Sequence, residues 1–466
     1  MIDLSILVLF LLANLIIGFY SSKNINSFSE YAVWKRSFSS FAICATLSAS
    51  FIGGGYIMGN ASKVYHIGMI YSFGLLGFSL KEILVALFIA PRMHKYNDCH
   101  SVGDMVGKHY GRLSKVITGI FSVLICTGIL GAQVSAMGAL FTMFFHINEL
   151  LGTLIGFGVI LIYASLGGMR GVVYTDILQF FVLIIGIPLI LIFGLHYIGG
   201  WEAIINTVPT AHINPLSQHN GIWILLGLML TFIFGEILVP PYAQRLFMAK
   251  STKQTRRATF SAGVISVPVF LIAGVIGLIA YVMNSTLDPN LAIPYVIEKA
   301  MPVGVRGVVI AGLLAVIMSS AAGFLNAAAI ACTNDILPSM FEMQKISHKS
   351  SLLIARIVSF IVGIGSIVFA LSIKNILDIL IYAYNMWSPI ILIPLLGAIF
   401  GLKVNKYHFY ISAAVGLMAT LIWSFNFHNI FHITSNVIGV FVSFIAFVVY
   451  HTFLKSGFVG MNLKIQ

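Results

Sequence analysis

Residues 44–60 read CATLSASFIGGGYIMGN. The stretch is apolar enough to enter a bilayer, yet it carries Thr46, Ser48 and Ser50 and then Gly53-Gly54-Gly55. Each glycine weakens a helix by about 1 kcal/mol relative to alanine. Three in succession predict a spanning helix that comes apart in its middle. Irregular backbone at membrane depth persists only where protein or a water-filled cavity satisfies it. The expectation is a helix broken to serve a site.

The rest of the chain suits the same surroundings. Of its 466 residues, 59% are hydrophobic and 9% charged. No soluble domain hides that much apolar surface, so the solvent is largely lipid. Apolar runs near 3–20, 39–60, 69–91, 116–144, 149–167, 173–197, 221–242, 258–283, 306–332, 352–373, 375–400, 407–426 and 433–454 are each of spanning length or close to it. They predict an all-α membrane protein of about thirteen transmembrane helices. No polar stretch is long enough for a separate soluble domain, so residues 1–466 read as one membrane domain. The amino-terminal run lacks a basic leader and is long enough to span, so it reads as a helix rather than a signal peptide. Cys44, Cys99, Cys126 and Cys332 have no paired spacing and read as small hydrophobes.

The net charge of +12 raises nucleic acid as a partner, but its placement argues against that. The alternate loops 21–38, 92–115, 168–172, 243–257, 333–351, 401–406 and 455–466 carry twenty of the 26 Lys and Arg residues. The opposite set carries Lys63, Lys299, Arg306 and Lys374, while Lys81 and Arg356 fall within spans. This asymmetry predicts an outside amino terminus and a cytoplasmic carboxy terminus in the cell's inner (plasma) membrane. Gln244, Arg245 and the basic run to Arg257 are expected to anchor the chain at the membrane surface.

An odd number of spans allows a further division. With 3–20 as a peripheral first helix and 407–454 as two peripheral helices, ten core spans remain. They fall into two five-helix groups, 39–197 and 221–400, of necessarily opposite topology. Such inverted repeats hold solute and ion sites at mid-membrane, beside broken helices in corresponding positions. The second group offers its own break in GEILVPPY, 235–242, where Pro240-Pro241 removes backbone donors. Discontinuous first and sixth core helices are therefore expected. Gly and Pro also serve close packing in membranes, and that reading stays open for either stretch alone.

Residues 316–335, VIMSSAAGFLNAAAIACTND, place Ser319 and Ser320 deep in an apolar span. A serine there often bonds back to a carbonyl one turn earlier or packs between helices. Two adjacent hydroxyls facing a broken helix suggest a cage for a hard cation, completed by carbonyls that the break frees.

Four stretches in order carry a family resemblance: SASFIGGGYIMGNASKVYHIG, LGGMRGVVYTDILQFFVLIIG, PPYAQRLFMAKSTKQTRRA and MSSAAGFLNAAAIACTND. From about residue 30 to 400 the chain resembles the sodium:solute symporters, which include proline, pantothenate, sialic acid, galactose and choline carriers. The wording of GGGYIMGNA, GFSLKEILVALFIAPRM and YAQRLF is closest to the high-affinity choline branch. The resemblance implies a Na⁺ site using backbone carbonyls of Cys44 and Leu47, shifted by one residue at most toward Ala45 and Ser48. The carbonyl of Val316 and the hydroxyls of Ser319 and Ser320 would complete it. A further sodium in some members uses two hydroxyls and an aspartate; here the hydroxyl positions are Ala322 and Gly323, although Asp176 is present. One coupled sodium is expected. One charge crossing 100 mV supplies about 2.3 kcal/mol, and a tenfold gradient about 1.4 kcal/mol more.

The resemblance also places a solute site at Phe51, Gly54, Phe78, Ile129 and Val239. The choline branch holds its ligand in an aromatic cage, and two of those rings are absent here. Charges are added instead. Lys81 and Glu82 sit in GFSLKEILVAL and Glu236 in FGEIL, each near mid-bilayer. A charge there costs at least about 2.5–3.5 kcal/mol, so such groups face a cavity or one another. Lys81 shares a helix face with Phe78, and Glu236 with Val239. Three readings stand: a structural Lys81–Glu236 pair, a clamp for a zwitterion, or proton uptake by Glu82 or Glu236. Asp176, Glu82 and Tyr384 are the candidate coupling or gating residues. Tyr384 belongs to an aromatic-polar patch with Tyr382, Asn385 and Trp387, while Gln133 and Asn326 are intramembrane amides that can link helices.

The function expected is sodium-coupled symport of a small polar solute, such as an amino acid, betaine or choline-like compound, by a monomeric carrier. The alternatives are a proton-coupled symporter and a non-transporting sensor on the same fold. HExxH, GxSxG, Walker and metal-spaced Cys/His motifs do not occur, which disfavours a membrane enzyme or ATP-driven pump. Nothing resembles the repeated pore loop of a channel.

Overall fold

A chain in lipid must satisfy its own backbone, and helices do so within one segment. The computed structural model, which describes residues 2–23, 25–341, 348–372, 383–385, 387–426 and 433–455, is accordingly all-α. Among the described residues the main helices run α1 (Ile2–Ser22), α2 (Ser40–Phe51), α3 (Gly54–Ile67), α4 (Ile70–Leu84), α5 (Arg112–Phe145), α6 (Glu149–Ile198) and α7 (Gly221–Gly235). They continue as α8 (Pro240–Phe247), α9 (Thr252–Met283), α10 (Val305–Ile330), α11 (His348–Ser372), α12 (Lys406–Asn426) and α13 (Ser435–Lys455).

Among the described residues, nine helices are long and apolar enough to cross a membrane, or eleven when each bent pair is one span. The expected thirteen divides α6 in two. Its 50 residues include Gly168 at φ 50° and ψ −154°, a kink in the LGGMRG turn. It also includes a span at 375–400, of which 375–382 and 386 lie outside the described residues.

Both expected breaks are present. α2 and α3 meet at 47° across Ile52-Gly53, and α7 and α8 meet at 57° across residues 236–239. Ser39 caps the far end of α2 through the Ala42 N–H; at the first break the Gly53 carbonyl receives the N–H groups of Tyr56 and Ile57 at 2.9 and 3.1 Å. At the second, Leu238 takes φ 53°, a left-handed conformation that a non-glycine residue adopts only when its surroundings impose it. Pro240 then opens α8 at the first helical position, where its missing N–H costs nothing. Carbonyls freed here are caught from elsewhere: the Ser388 hydroxyl donates to Gly235 O at 2.9 Å and the Trp387 indole to Ile237 O at 3.2 Å.

α10 is the axis of the assembly. Residues 309–331 are all buried, and α10 packs on α2, α5, α6 and α8. Its run of Ala, Ser and Gly lets the neighbours come close. α1 lies at the periphery against α6, with Gly18 against the Tyr163 Cβ and Gln179 donating to Asn14 Oδ1 at 2.8 Å.

Candidate ion and solute site

The first break meets α10 at Ser319 and Ser320. The Ser320 hydroxyl donates to the carbonyl of Ser50 at 2.5 Å. The Ser319 hydroxyl donates to Asp176 Oδ1 of α6 at 2.5 Å and lies 3.4 Å from the Ser50 hydroxyl. The glycine triplet explains this proximity. A Cβ on Gly53 would enter the Ser320 hydroxyl, and one on Gly54 would enter the Ile317 side chain. Gly55 donates its N–H to Gln133 Oε1 of α5 at 3.3 Å. The glycines therefore do more than loosen the helix; they bring its broken end against the serines. Gly54, expected beside the solute, packs on α10.

The carbonyls lie differently from expectation. Cys44 and Leu47 fall within regular α2, where helical bonds already use their oxygens. A helix leaves only its last carbonyls free. Ser48 O takes the Ile52 N–H, and Ser50 O is the oxygen that Ser320 reaches. Val316 is buried on α10, one turn before Ser320.

Arg245 departs furthest from its sequence reading. Expected as a surface anchor, it is completely buried. Its guanidinium donates to Thr46 Oγ1 at 2.9 Å, Pro241 O at 2.9 Å, Asp176 Oδ2 at 3.2 Å and the Ser50 hydroxyl. Thr46 in turn donates to Asp176 Oδ2. Thr46 and Ser50 are one turn apart, so α2 presents both hydroxyls on one face. Gly323 leaves the space, since a Cβ there would lie 2.9 Å from one guanidinium nitrogen and 3.2 Å from another. Gly323→Ala is expected to lower stability by about 1–3 kcal/mol through overpacking, measured as the thermal midpoint of purified protein with Gly312→Ala, a looser site, as control.

The second break carries the other charges. Glu236 ends α7 and is wholly buried. Its Oε1 accepts the Tyr56 hydroxyl, which also meets the hydroxyl of Tyr384. Its Oε2 has no hydrogen-bond partner among the described residues. Of the three readings of these charges, the Lys81–Glu236 ion pair is not formed. The Lys81 ammonium lies 2.7 Å from Glu82 Oε1, and both side chains are buried. It sits 3.7 Å from the Phe78 ring centroid and 4.8 Å from that of Tyr242. Phe51, Tyr56 and Phe270 surround Phe78 at 5.6, 5.0 and 6.2 Å.

Two further candidates, Ile129 and Val239, are also buried. Ile129 lies on α5, and Val239 starts α8 by accepting the Tyr242 N–H at 3.0 Å. Asn385 meets the Ser435 hydroxyl at 3.1 Å, Asn326 has no hydrogen-bond partner among the described residues, and Tyr382 lies outside them. Thr46, Ser50, Tyr56, Tyr242 and Arg245 join the site in addition to the residues expected from sequence. The polar face of α2 and the lone intramembrane Asp176, which needs a cation, were the available signals.

The arrangement places a cluster of hydroxyl, carbonyl and carboxylate oxygens, held together by the Arg245 guanidinium, at one break and a carboxylate beside tyrosine hydroxyls at the other. The model of the sodium:solute symporter family matches residues 31–419. The osmoregulated proline transporter of Bacillus subtilis (strain 168) is 24% identical over 435 residues, covering 89% of this chain and 87% of that protein. High-affinity choline transporter 1 of Drosophila melanogaster is 24% identical over 403 residues, covering 82% of this chain and 63% of that protein, under two thirds of its length. Among solved structures, a Na⁺-coupled sialic acid symporter in a substrate-bound outward-open state superposes with TM-score 0.84 at 20% identity, covering 97% of this chain and 98% of its own. A nucleobase-cation-symport-1 family transporter in a closed conformation follows at 0.65 and 13%, covering 95% and 97%. These likenesses establish the helical fold.

Proposed function

The chain belongs to the sodium:solute symporter family, and on that premise we propose that it imports a small polar organic solute coupled to one Na⁺ per cycle, by alternating access. The observation that carries this reading is the contact of Ser319 and Ser320 with the end of α2 at Ser50. A Na⁺ wants several hard oxygens at short range. Ser50 O, the two α10 hydroxyls and a neighbouring α2 carbonyl offer such a set, with the negative end of the half-helix behind them. On binding, the Ser320 hydroxyl turns its proton away from Ser50 O and offers a lone pair to the ion. Sodium then ties the broken helix to α10, and solute at the second break completes the closed state. The ten core helices form a five-plus-five inverted repeat in this account. The amino terminus faces outside and the carboxy terminus faces the cytoplasm across the plasma membrane.

Proteoliposomes given an inward Na⁺ gradient should accumulate one or more of labelled proline, other small amino acids, choline, glycine betaine or sialic acid. The sodium ionophore monensin should abolish the accumulation. A second reading rests on Glu236, a buried carboxylate that has no ion pair among the described residues. Accumulation driven equally by a pH gradient without sodium would favour proton coupling over sodium. Sodium and solute binding without any accumulation would favour a sensor.

A further inference from the structure

The aromatic cluster at the second break already contains a cation. Phe78 is its hub, touched by the rings of Phe51, Tyr56, Phe270 and Tyr242. Lys81, one helical turn beyond Phe78 on α4, folds its ammonium 3.7 Å from the Phe78 centroid and 4.8 Å from the Tyr242 centroid. That is the position a quaternary ammonium takes when it binds to rings. The ammonium is buried; among the described residues its one ion pair is with Glu82 and it has no hydrogen-bond partner, so its place is set by the rings and by its neighbour on the same helix.

The charges near this cluster do not balance. One ammonium faces two buried carboxylates, Glu82 and Glu236. Glu82 holds Lys81; Glu236 keeps Oε2 unpartnered among the described residues, with the Tyr56 hydroxyl, itself against that of Tyr384, on Oε1. An isolated buried carboxylate is strongly disfavoured until something donates to it. A donor is missing, and one that carries positive charge on a nitrogen with hydrogens would satisfy this oxygen and balance the charge as well. A quaternary ammonium has none to give. Sites built to hydrogen-bond a donor reject analogues lacking it by large factors, because their own polar atoms stay unpaired.

We propose that Lys81 is the resident occupant of the aromatic cluster, so that the carrier takes solutes with a primary or secondary ammonium, received by Glu236, and excludes quaternary ammonium compounds. This rests on the carrier reading above and narrows its solute class. Lys81 thereby acts as a specificity determinant: it fills the rings and repels a second cation from them.

The test uses full-length protein in nanodiscs with sodium present and reads binding as a shift in thermal midpoint, which requires no transport. The probes are methylammonium, tetramethylammonium and choline. Wild type should be stabilised by methylammonium more than by tetramethylammonium or choline. Lys81→Ala, which empties the cluster, should bind tetramethylammonium at least about tenfold more tightly than wild type, a factor within the range of one desolvated cation–π contact. If Lys81→Ala does not fold because Glu82 is left unpaired, Lys81→Ala with Glu82→Gln removes both charges and carries the same expectation. Wild type bound equally well by tetramethylammonium or choline overturns the proposal, and so does an emptied cluster that gains no affinity for tetramethylammonium. Intact sodium-driven accumulation alongside either result leaves the carrier reading standing and removes only the selectivity. Absence of sodium-driven accumulation with the expected shifts does the reverse.

Discussion

Replacing Arg245 with alanine should cost about 3–5 kcal/mol of stability, the range seen when one partner of a buried ion pair is removed. The Arg245 guanidinium is bound at Thr46, Ser50, Pro241 and Asp176 and has no exposure to solvent. Its removal strands Asp176 in the protein interior with only hydroxyl donors, from Thr46 and Ser319. The loss follows from the unpaired charge more than from the missing contacts. Arg245→Ala combined with Asp176→Asn should therefore recover a large part of it, because the pair itself is close to neutral against uncharged replacements. Thermal midpoints of the two single variants and the double variant in the same lipid measure the coupling. Additive losses would mean that Arg245 and Asp176 do not act as a pair.

Ser319→Ala with Ser320→Ala should raise the sodium concentration for half-maximal uptake by about 100-fold or more. Each hydroxyl that meets a charged group contributes about 1.5–3 kcal/mol, and each 1.4 kcal/mol is a factor of ten. The backbone oxygens of α2 would remain, so weak sodium activation should survive. Sodium titration of uptake in proteoliposomes reads this directly. Unchanged half-saturation would place the ion elsewhere. The same substitutions also release Ser50 O and Asp176 Oδ1 from their present donors. A thermal midpoint in sodium-free buffer separates that structural cost from the loss of ion binding.

The two breaks were legible because backbone chemistry announces them. Gly53-Gly54-Gly55 and Pro240-Pro241 interrupt apolar runs, and α2–α3 and α7–α8 bend at those places. The serine pair was legible for a similar reason: two hydroxyls in an otherwise apolar helix need a partner. Side-chain direction was not legible. Spacing alone cannot tell whether Lys81 turns toward Glu82 on its own helix or toward Glu236 across the site. The lysine stem is long enough for either, and the rings of Phe78 and Tyr242 decide it. Arg245 was misplaced because basic residues near a span end ordinarily lie at the membrane surface. α8 begins at Pro240 in the interior, so a residue five positions later is still at membrane depth and beside Asp176. The carbonyls expected at Cys44 and Leu47 depend on where α2 ends, and helix ends are the least legible feature of a sequence.

Equilibrium binding of ²²Na⁺ to the purified protein, without solute, tests the ion site at the first break most directly. Saturable binding is predicted in wild type, binding weakened by about 100-fold or more in Ser319→Ala with Ser320→Ala, and unchanged binding in Lys81→Met, where the change lies at the other break. Equal ²²Na⁺ binding by wild type and the double serine variant would contradict it.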